Sequence, residues 1–194
     1  MQKLTIDDIK DVRAYERERD EFRRHIIDLK RRRRVQLGTI MTIVFENTDT
    51  MRWQVQEMAR VERMARDEQI AHEVETYNEI IPDAGQLSAT LMVELTSEAQ
   101  LREWLPKLVG VQRSVLIVVD ELEPVRGVPQ DEERLTREDT TAAVHFLKFT
   151  FTPAHIGRFE AAPVRIVVDH PAYREDVELS DTTRRELAAD LRTT

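Results

Sequence analysis

The stretch that decides the fold is residues 51–83, MRWQVQEMARVERMARDEQIAHEVETYNEIIPD. Its first half carries apolar side chains three and four positions apart, which predicts a long amphipathic helix. These apolar side chains are Met51, Val55, Met58, Val61, Met64 and Ala65. Arginines occupy the opposite arc of the helix. Two carboxylates, Glu57 and Glu62, fall within the apolar arc, where an ordinary amphipathic helix carries none.

The two acidic side chains in this helix require compensation if they face the interior. Burying an ionised carboxylate costs several kcal/mol unless a cation, a metal or hydrogen-bond donors meet it. Three interpretations of Glu57 and Glu62 stay open. Arginines from other elements or a subunit interface can pair with them, they can line a polar cavity that holds a metal or small ligand, or both can be solvated.

The rest of the sequence alternates predicted strands with helices. Residues 5–34 are predicted to form a first helix, and residues 120–139 a charged loop with one short strand. Strands are predicted over residues 35–46, 87–95, 114–119, 141–151 and 163–169. Three further helices are predicted to begin after the capping residues Ser97, Thr152 and Ser180.

The order of these elements lacks a regular strand–helix–strand alternation, which favours an α+β fold. We expect a single domain over residues 1–194, built on a mainly antiparallel sheet of about five strands. Helices are expected to pack chiefly on one face of that sheet, and a long helix in the N-terminal half of the chain would be among them.

The composition excludes several classes of protein. Of the 194 residues, 41% are hydrophobic and 34% charged, which predicts a soluble globular protein. The chain has no cysteine, so it cannot form disulfides or ligate zinc or an iron–sulfur cluster through thiolates. No apolar run approaches the length of a membrane span, and the N-terminal residues lack a signal-peptide core. We therefore expect a cytoplasmic protein.

A basic run, Lys30-Arg31-Arg32-Arg33-Arg34, ends the first predicted helix. Cations at a helix C-terminus complement the helix dipole, and short basic runs are usually solvated or paired with acids. Nucleic-acid binding is the alternative, but the formal charge of -8 and the lack of interleaved aromatics argue against it.

The residues that suggest chemistry are one histidine and the two acids. His145 lies on the same predicted strand face as large apolar residues, so it is expected to point inward. With Glu57 and Glu62 it would form a carboxylate–histidine site suited to a transition metal, whose identity the spacing leaves open. The supporting polar residues are Gln54, Arg60 and Asn78. His170 follows Asp169 and precedes Pro171, where a turn is the simpler interpretation.

Five ordered motifs resemble the bacterial family catalogued as domain of unknown function number 3501. They are RRRRVQLG, RWQVQEMARVER, YNEIIPDAGQLSATLMVE, AVHFLKF and DHPAY. The resemblance implies no activity and no catalytic residue. Members of the family are often encoded beside rubrerythrin-like proteins and iron–sulfur oxidoreductase subunits, which implies an accessory role in a redox or oxidative-stress pathway. The matching polar and charged positions include Gln54, Glu57, Arg60, Glu62, Asn78, His145 and His170.

Two hypotheses follow, and the sequence leaves open whether the protein is an enzyme. The first is a non-catalytic partner or assembly protein that forms a homo-oligomer and works with a redox enzyme. The second is a metal- or small-ligand-binding protein that uses Glu57, Glu62 and His145. Convergence of these three side chains in one cavity would favour the second hypothesis.

Overall fold

The computed structural model describes residues 1–130 and 140–192. These residues form six α-helices and nine strands, which confirms the α+β class. The helices are α1 (Val12–Arg33), α2 (Thr48–Val61), α3 (Asp67–Asn78), α4 (Glu98–Lys107), α5 (Pro153–Phe159) and α6 (Asp181–Arg192). The strands are β1 (Arg34–Leu37), β2 (Met41–Glu46), β3 (Gln86–Val93), β4 (Val115–Val119), β5 (Val125–Arg126), β6 (Val128–Gln130), β7 (Val144–Thr150), β8 (Val164–His170) and β9 (Tyr173–Glu178).

The strands form two antiparallel sheets. One sheet has the order β1-β2-β3-β7-β6, and the other has the order β5-β4-β8-β9. The strands predicted over residues 114–119 and 163–169 correspond to β4 and β8, so the predicted strands are divided between two sheets. The second sheet was not expected, because periodicity gives the face of a strand but not its distant partner. The part of the predicted loop at 131–139 lies outside the described residues.

The two sheets face each other across one apolar core. Alternate residues of a strand point to the same face, so Ile43 and Leu91 of the five-stranded sheet join Ile117 and Ile166 of the other in a single buried cluster. Phe146 points to the opposite face of the five-stranded sheet. It packs there against a second cluster that includes Met51 and Val55 of α2 and Val74 of α3. Helices α2 and α3 thus cover the outer face of that sheet.

Residues 35–46 form a hairpin instead of the single predicted strand. Leu37 pairs with Met41, and the turn between them begins at Gly38, whose φ is 67°. A left-handed φ favours glycine, since a side chain there is strained. A Cβ atom on Gly38 would also lie 2.3 Å from the Tyr173 hydroxyl oxygen, so β9 and the hairpin turn touch.

The Tyr173 hydroxyl joins the two sheets. It donates to the carbonyl of Leu37 at 2.7 Å and accepts from the backbone N–H groups of Thr39 at 3.0 Å and Ile40 at 3.3 Å. Replacing Tyr173 with phenylalanine leaves a buried carbonyl without its donor, which we expect to lower the free energy of unfolding by about 1–3 kcal/mol.

Urea denaturation of Tyr173→Phe measures this loss. Tyr77→Phe is the matched control, because the Tyr77 hydroxyl forms no hydrogen bond with the described residues. Equal losses in the two variants would show that the hydroxyl of Tyr173 contributes nothing specific.

Three predicted helix starts are confirmed. The hydroxyls of Ser97, Thr152 and Ser180 accept hydrogen bonds from the backbone N–H groups three positions further on. The first helix begins later than predicted, because Thr5 precedes only a short 3₁₀ turn and Asp11 caps α1. Within the described part of the chain, no helix is both long and apolar enough to span a membrane.

Candidate functional site

The charged cluster predicted around residue 57 forms where α1 crosses α2. Tyr15 and Arg19 lie one turn apart on α1, and Glu57 and Arg60 lie three residues apart on α2. The Glu57 carboxylate accepts from the Tyr15 hydroxyl at 2.6 Å and from Arg19 Nε at 2.8 Å and Nη2 at 3.0 Å. Arg60 adds bonds from Nη2 at 3.1 Å and Nε at 3.3 Å. Both carboxylate oxygens are therefore fully engaged.

The electrostatics of this cluster strongly favour the ionised carboxylate. Partial burial by itself raises the pKa of Glu57, but the hydrogen bonds from Arg19, Tyr15 and Arg60 outweigh it and lower the pKa to about 2. Burial and the bond to Glu57 raise the pKa of the Tyr15 hydroxyl. At neutral pH the cluster thus holds a carboxylate and a neutral phenol, an arrangement that stabilises the contact between the two helices.

Glu57 has the arginine partners that the sequence required, but the expected position of Glu62 is wrong. Helix α2 ends at Val61, and the chain turns through Arg63, whose φ is 53°. Glu62 is the first residue past the helix, so it leaves the apolar face that helical phasing assigned to it and is exposed to solvent. The sequence gave no signal of this turn, because its left-handed residue is an arginine and not a glycine.

The structure does not bring the three proposed metal ligands together. His145 is 1% exposed on β7, where Nε2 lies 2.9 Å from the Thr141 hydroxyl. Glu57 is bonded to arginines between two helices, and Glu62 is at the surface. Among the residues that the structure describes, no three histidine, aspartate or glutamate side chains are grouped so that they could hold a metal ion. The expected carboxylate–histidine centre is corrected accordingly.

The other predicted site residues make structural contacts. His170 lies at the end of β8 and is 7% exposed; its Nδ1 accepts from the Ala172 N–H at 3.3 Å, and its Nε2 bonds to the Val109 carbonyl at 3.0 Å. It therefore fixes the turn into β9, as the simpler interpretation predicted. Gln54 is half-buried on α2.

Asn78 attaches the N-terminal segment to the end of α3. Its Oδ1 accepts from the Leu4 N–H at 2.7 Å, and its Nδ2 donates to the Leu4 carbonyl at 2.9 Å. We expect Asn78→Ala to speed hydrogen exchange of the Leu4 amide by about 30-fold, since one net hydrogen bond is worth about 1 kcal/mol, two are lost, and about 1.4 kcal/mol corresponds to a factor of ten. Gln54→Ala is the control and should leave that rate unchanged. An unchanged rate in Asn78→Ala would contradict the assignment.

A cleft of about 410 Å³ opens beside the charged cluster, between α1, α2 and the N-terminal segment. Lys10 pairs with Glu18 at its rim, and the Gln56 amide bonds both backbone groups of Lys10, at 2.9 and 2.8 Å. Arg52 pairs with Asp49 at 3.2 Å. Gln56 therefore attaches α2 to the N-terminal segment, while the Lys10–Glu18 pair links that segment to α1 and the Arg52–Asp49 pair lies within α2.

The sequence missed a second charged centre, at Arg33. This side chain is fully buried; Nε donates to the Phe45 carbonyl at 2.9 Å, Nη1 bonds to Glu186 at 3.2 Å, and Nη2 pairs with Asp190. Burial raises the pKa of Asp190, although Arg33 opposes the shift. A signal was present, because Ile26, Leu29 and Arg33 continue one helical stripe.

The fold and its engaged charged centres define an α+β protein whose interior ion pairs hold its helices in place. The chain belongs to the family described as "Protein of unknown function (DUF3501)", which matches residues 3–191. The family resemblance of the five motifs is thereby confirmed. A crystal structure described as a novel protein of unknown function, from Burkholderia pseudomallei K96243, is 33% identical. The match covers 98% of this chain and 100% of that chain, with a TM-score of 0.91. Comparison with curated proteins finds no match.

Proposed function

We propose that this protein is a non-catalytic partner or assembly protein that works in the cytoplasm with a redox enzyme. The observation that carries the proposal is the saturation of the Glu57 carboxylate by Arg19, Arg60 and Tyr15. A carboxylate with five donors is a structural element, and it is poorly suited to take a proton or bind a ligand. We therefore assign the function of the protein to its surface.

A redox enzyme is proposed because the family resemblance implies rubrerythrin-like or iron–sulfur partners. A chain without cysteine fits this role, because the partner would supply the metal and its thiolate ligands. Self-association is part of the same proposal.

Two measurements test the proposal together. Light scattering on the purified protein is expected to give a mass above that of one chain, and pull-down with a rubrerythrin-like protein or an iron–sulfur subunit from the same genome is expected to recover a complex. The proposal would be refuted if the protein did not self-associate and the pull-down recovered no complex.

Metal analysis tests the competing hypothesis of a metal-binding protein. Protein purified without chelator is expected to carry no stoichiometric transition metal. A stoichiometric metal that Glu57→Ala removes would instead establish metal binding and overturn the proposal of a non-catalytic partner protein.

A further inference from the structure

One face of α1 presents a row of cations around an exposed isoleucine. Arg23, Ile27, Lys30 and Arg31 follow helical spacing and therefore lie along one side of the helix, and Arg34 follows directly as the first residue of β1. They line a groove of about 460 Å³ together with Ile26 of α1 and Trp53 of α2. We call this feature the cationic groove. The Ile27 side chain is 44% exposed at its centre.

Three of the four cations of the cationic groove have no acidic partner among the described residues. Within the described ranges, Arg23, Lys30 and Arg31 form no ion pair, and Arg34 is 3.7 Å from Glu94. The neighbouring Arg32 and Arg33 differ, because both bond to Glu186 of α6. The basic run thus divides into an inner part that fixes the fold and an outer part that faces solvent. The cationic groove is thus locally positive on a protein whose formal net charge is -8.

We propose that the cationic groove binds an acidic amphipathic helix of a partner protein. The inference rests on the proposed function and names the surface that carries it. From Arg23 to the end of α1 at Arg33 the helix rises by about 15 Å, at about 1.5 Å per residue, and this length matches nearly three turns of a docked helix. Acidic side chains of the partner meet the cations at the rim, and its apolar side chains cover Ile27 and Trp53.

The composition of the groove favours a protein over a nucleic acid. Bases bind by stacking on open aromatic faces. Trp53 is instead packed against Phe22 at 5.4 Å and Tyr15 at 6.3 Å between ring centroids, and it is only partly exposed. Ile27 is the exposed large apolar residue of α1, and a membrane-surface helix carries a broader apolar face. The pairing of several cations with a short apolar floor fits an acidic helix best.

Tryptophan fluorescence reports directly on the cationic groove. The chain has two tryptophans, so Trp104→Phe leaves Trp53 as the only one. The probe is a synthetic helical peptide with leucines along one side flanked by glutamates, and a scrambled peptide of equal composition is its control. The amphipathic peptide is expected to shift the Trp53 emission to the blue, with an affinity that falls as salt rises. Calorimetry with the unsubstituted chain is expected to give the same affinity.

Charge reversal locates the binding surface. Arg23→Glu/Arg31→Glu is expected to weaken peptide binding by about tenfold or more, because repulsion replaces attraction at two positions. Arg17→Glu/Arg185→Glu changes the net charge equally at two exposed positions outside the groove and is expected to leave the affinity within about twofold. Circular dichroism checks that both variants fold.

Other outcomes overturn the inference. These are no binding of the amphipathic peptide, equal binding of the scrambled peptide, equal loss in both charge-reversed variants, or tighter binding of duplex DNA or of phosphatidylglycerol vesicles. Failure of this inference can be distinguished from failure of the proposed function. If Arg23→Glu/Arg31→Glu still recovers the redox partner as well as the unsubstituted chain does, the groove is not the docking surface but the protein remains a partner protein.

Discussion

Arg33→Met is expected to lower the free energy of unfolding by about 3–5 kcal/mol, the cost typical of breaking a buried ion pair by removing one partner. The variant loses the bonds to the Phe45 and Glu46 carbonyls and removes the guanidinium that pairs with Asp190. Guanidinium denaturation at pH 7 measures the loss.

Two further variants separate the ion pair from the loss of a long side chain. Arg31→Met makes the same substitution at an exposed position and is expected to change stability by less than about 0.5 kcal/mol. Arg33→Met/Asp190→Leu removes the stranded carboxyl as well and is expected to recover part of the loss. If the double variant were less stable than the sum of its parts, the burial of the charge would not be the cause.

Glu57→Gln is expected to lower stability at neutral pH by up to about 3 kcal/mol, since a pKa unit corresponds to about 1.4 kcal/mol. The ordinary pKa of the carboxyl is 4.5, and the folded protein lowers it to about 2. Because the folded state binds the proton less tightly than the unfolded state, this contribution is complete above pH 4.5. It is lost as the pH falls towards 2, so the stability curves of the two proteins should converge over that range.

Glu62→Gln supplies the control for this pH dependence. Glu62 is exposed at the end of α2, and its loss is expected to change stability by less than about 0.5 kcal/mol at pH 7. A gap between the unsubstituted protein and Glu57→Gln that stayed constant from pH 6 to pH 2.5 would contradict the role assigned to the Glu57 carboxylate.

Short-range features of this fold were accessible from the sequence. Ser97, Thr152 and Ser180 cap helices as predicted, because a capping hydroxyl and the backbone N–H that donates to it lie within four residues of each other. The demand for a cation at Glu57 was also correct, since it follows from helical phase and desolvation alone. The same phasing failed at Glu62, because it assumed that the helix continued beyond Val61.

Long-range features were inaccessible for a different reason. Strand β9 has the mostly polar sequence YREDVE and was not predicted as a strand, because only its pairing with β8 makes it one. Helical spacing placed Arg33 on the buried stripe of α1, but it could not identify the partners Glu186 and Asp190, because they lie more than 150 positions away. Local pattern specifies elements and faces, while the choice of distant partners depends on packing that a single sequence does not display.

The link between Arg33 and α6 also bears on the order of events during synthesis. Arg33 leaves the ribosome about 150 residues before Glu186 and Asp190. At elongation speeds of about 5–20 residues per second, the guanidinium waits on the order of ten seconds for its counter-charges. Until then α1 cannot settle on β2 at low energy, and the nascent chain passes through this interval with that part of its core still open to chaperones.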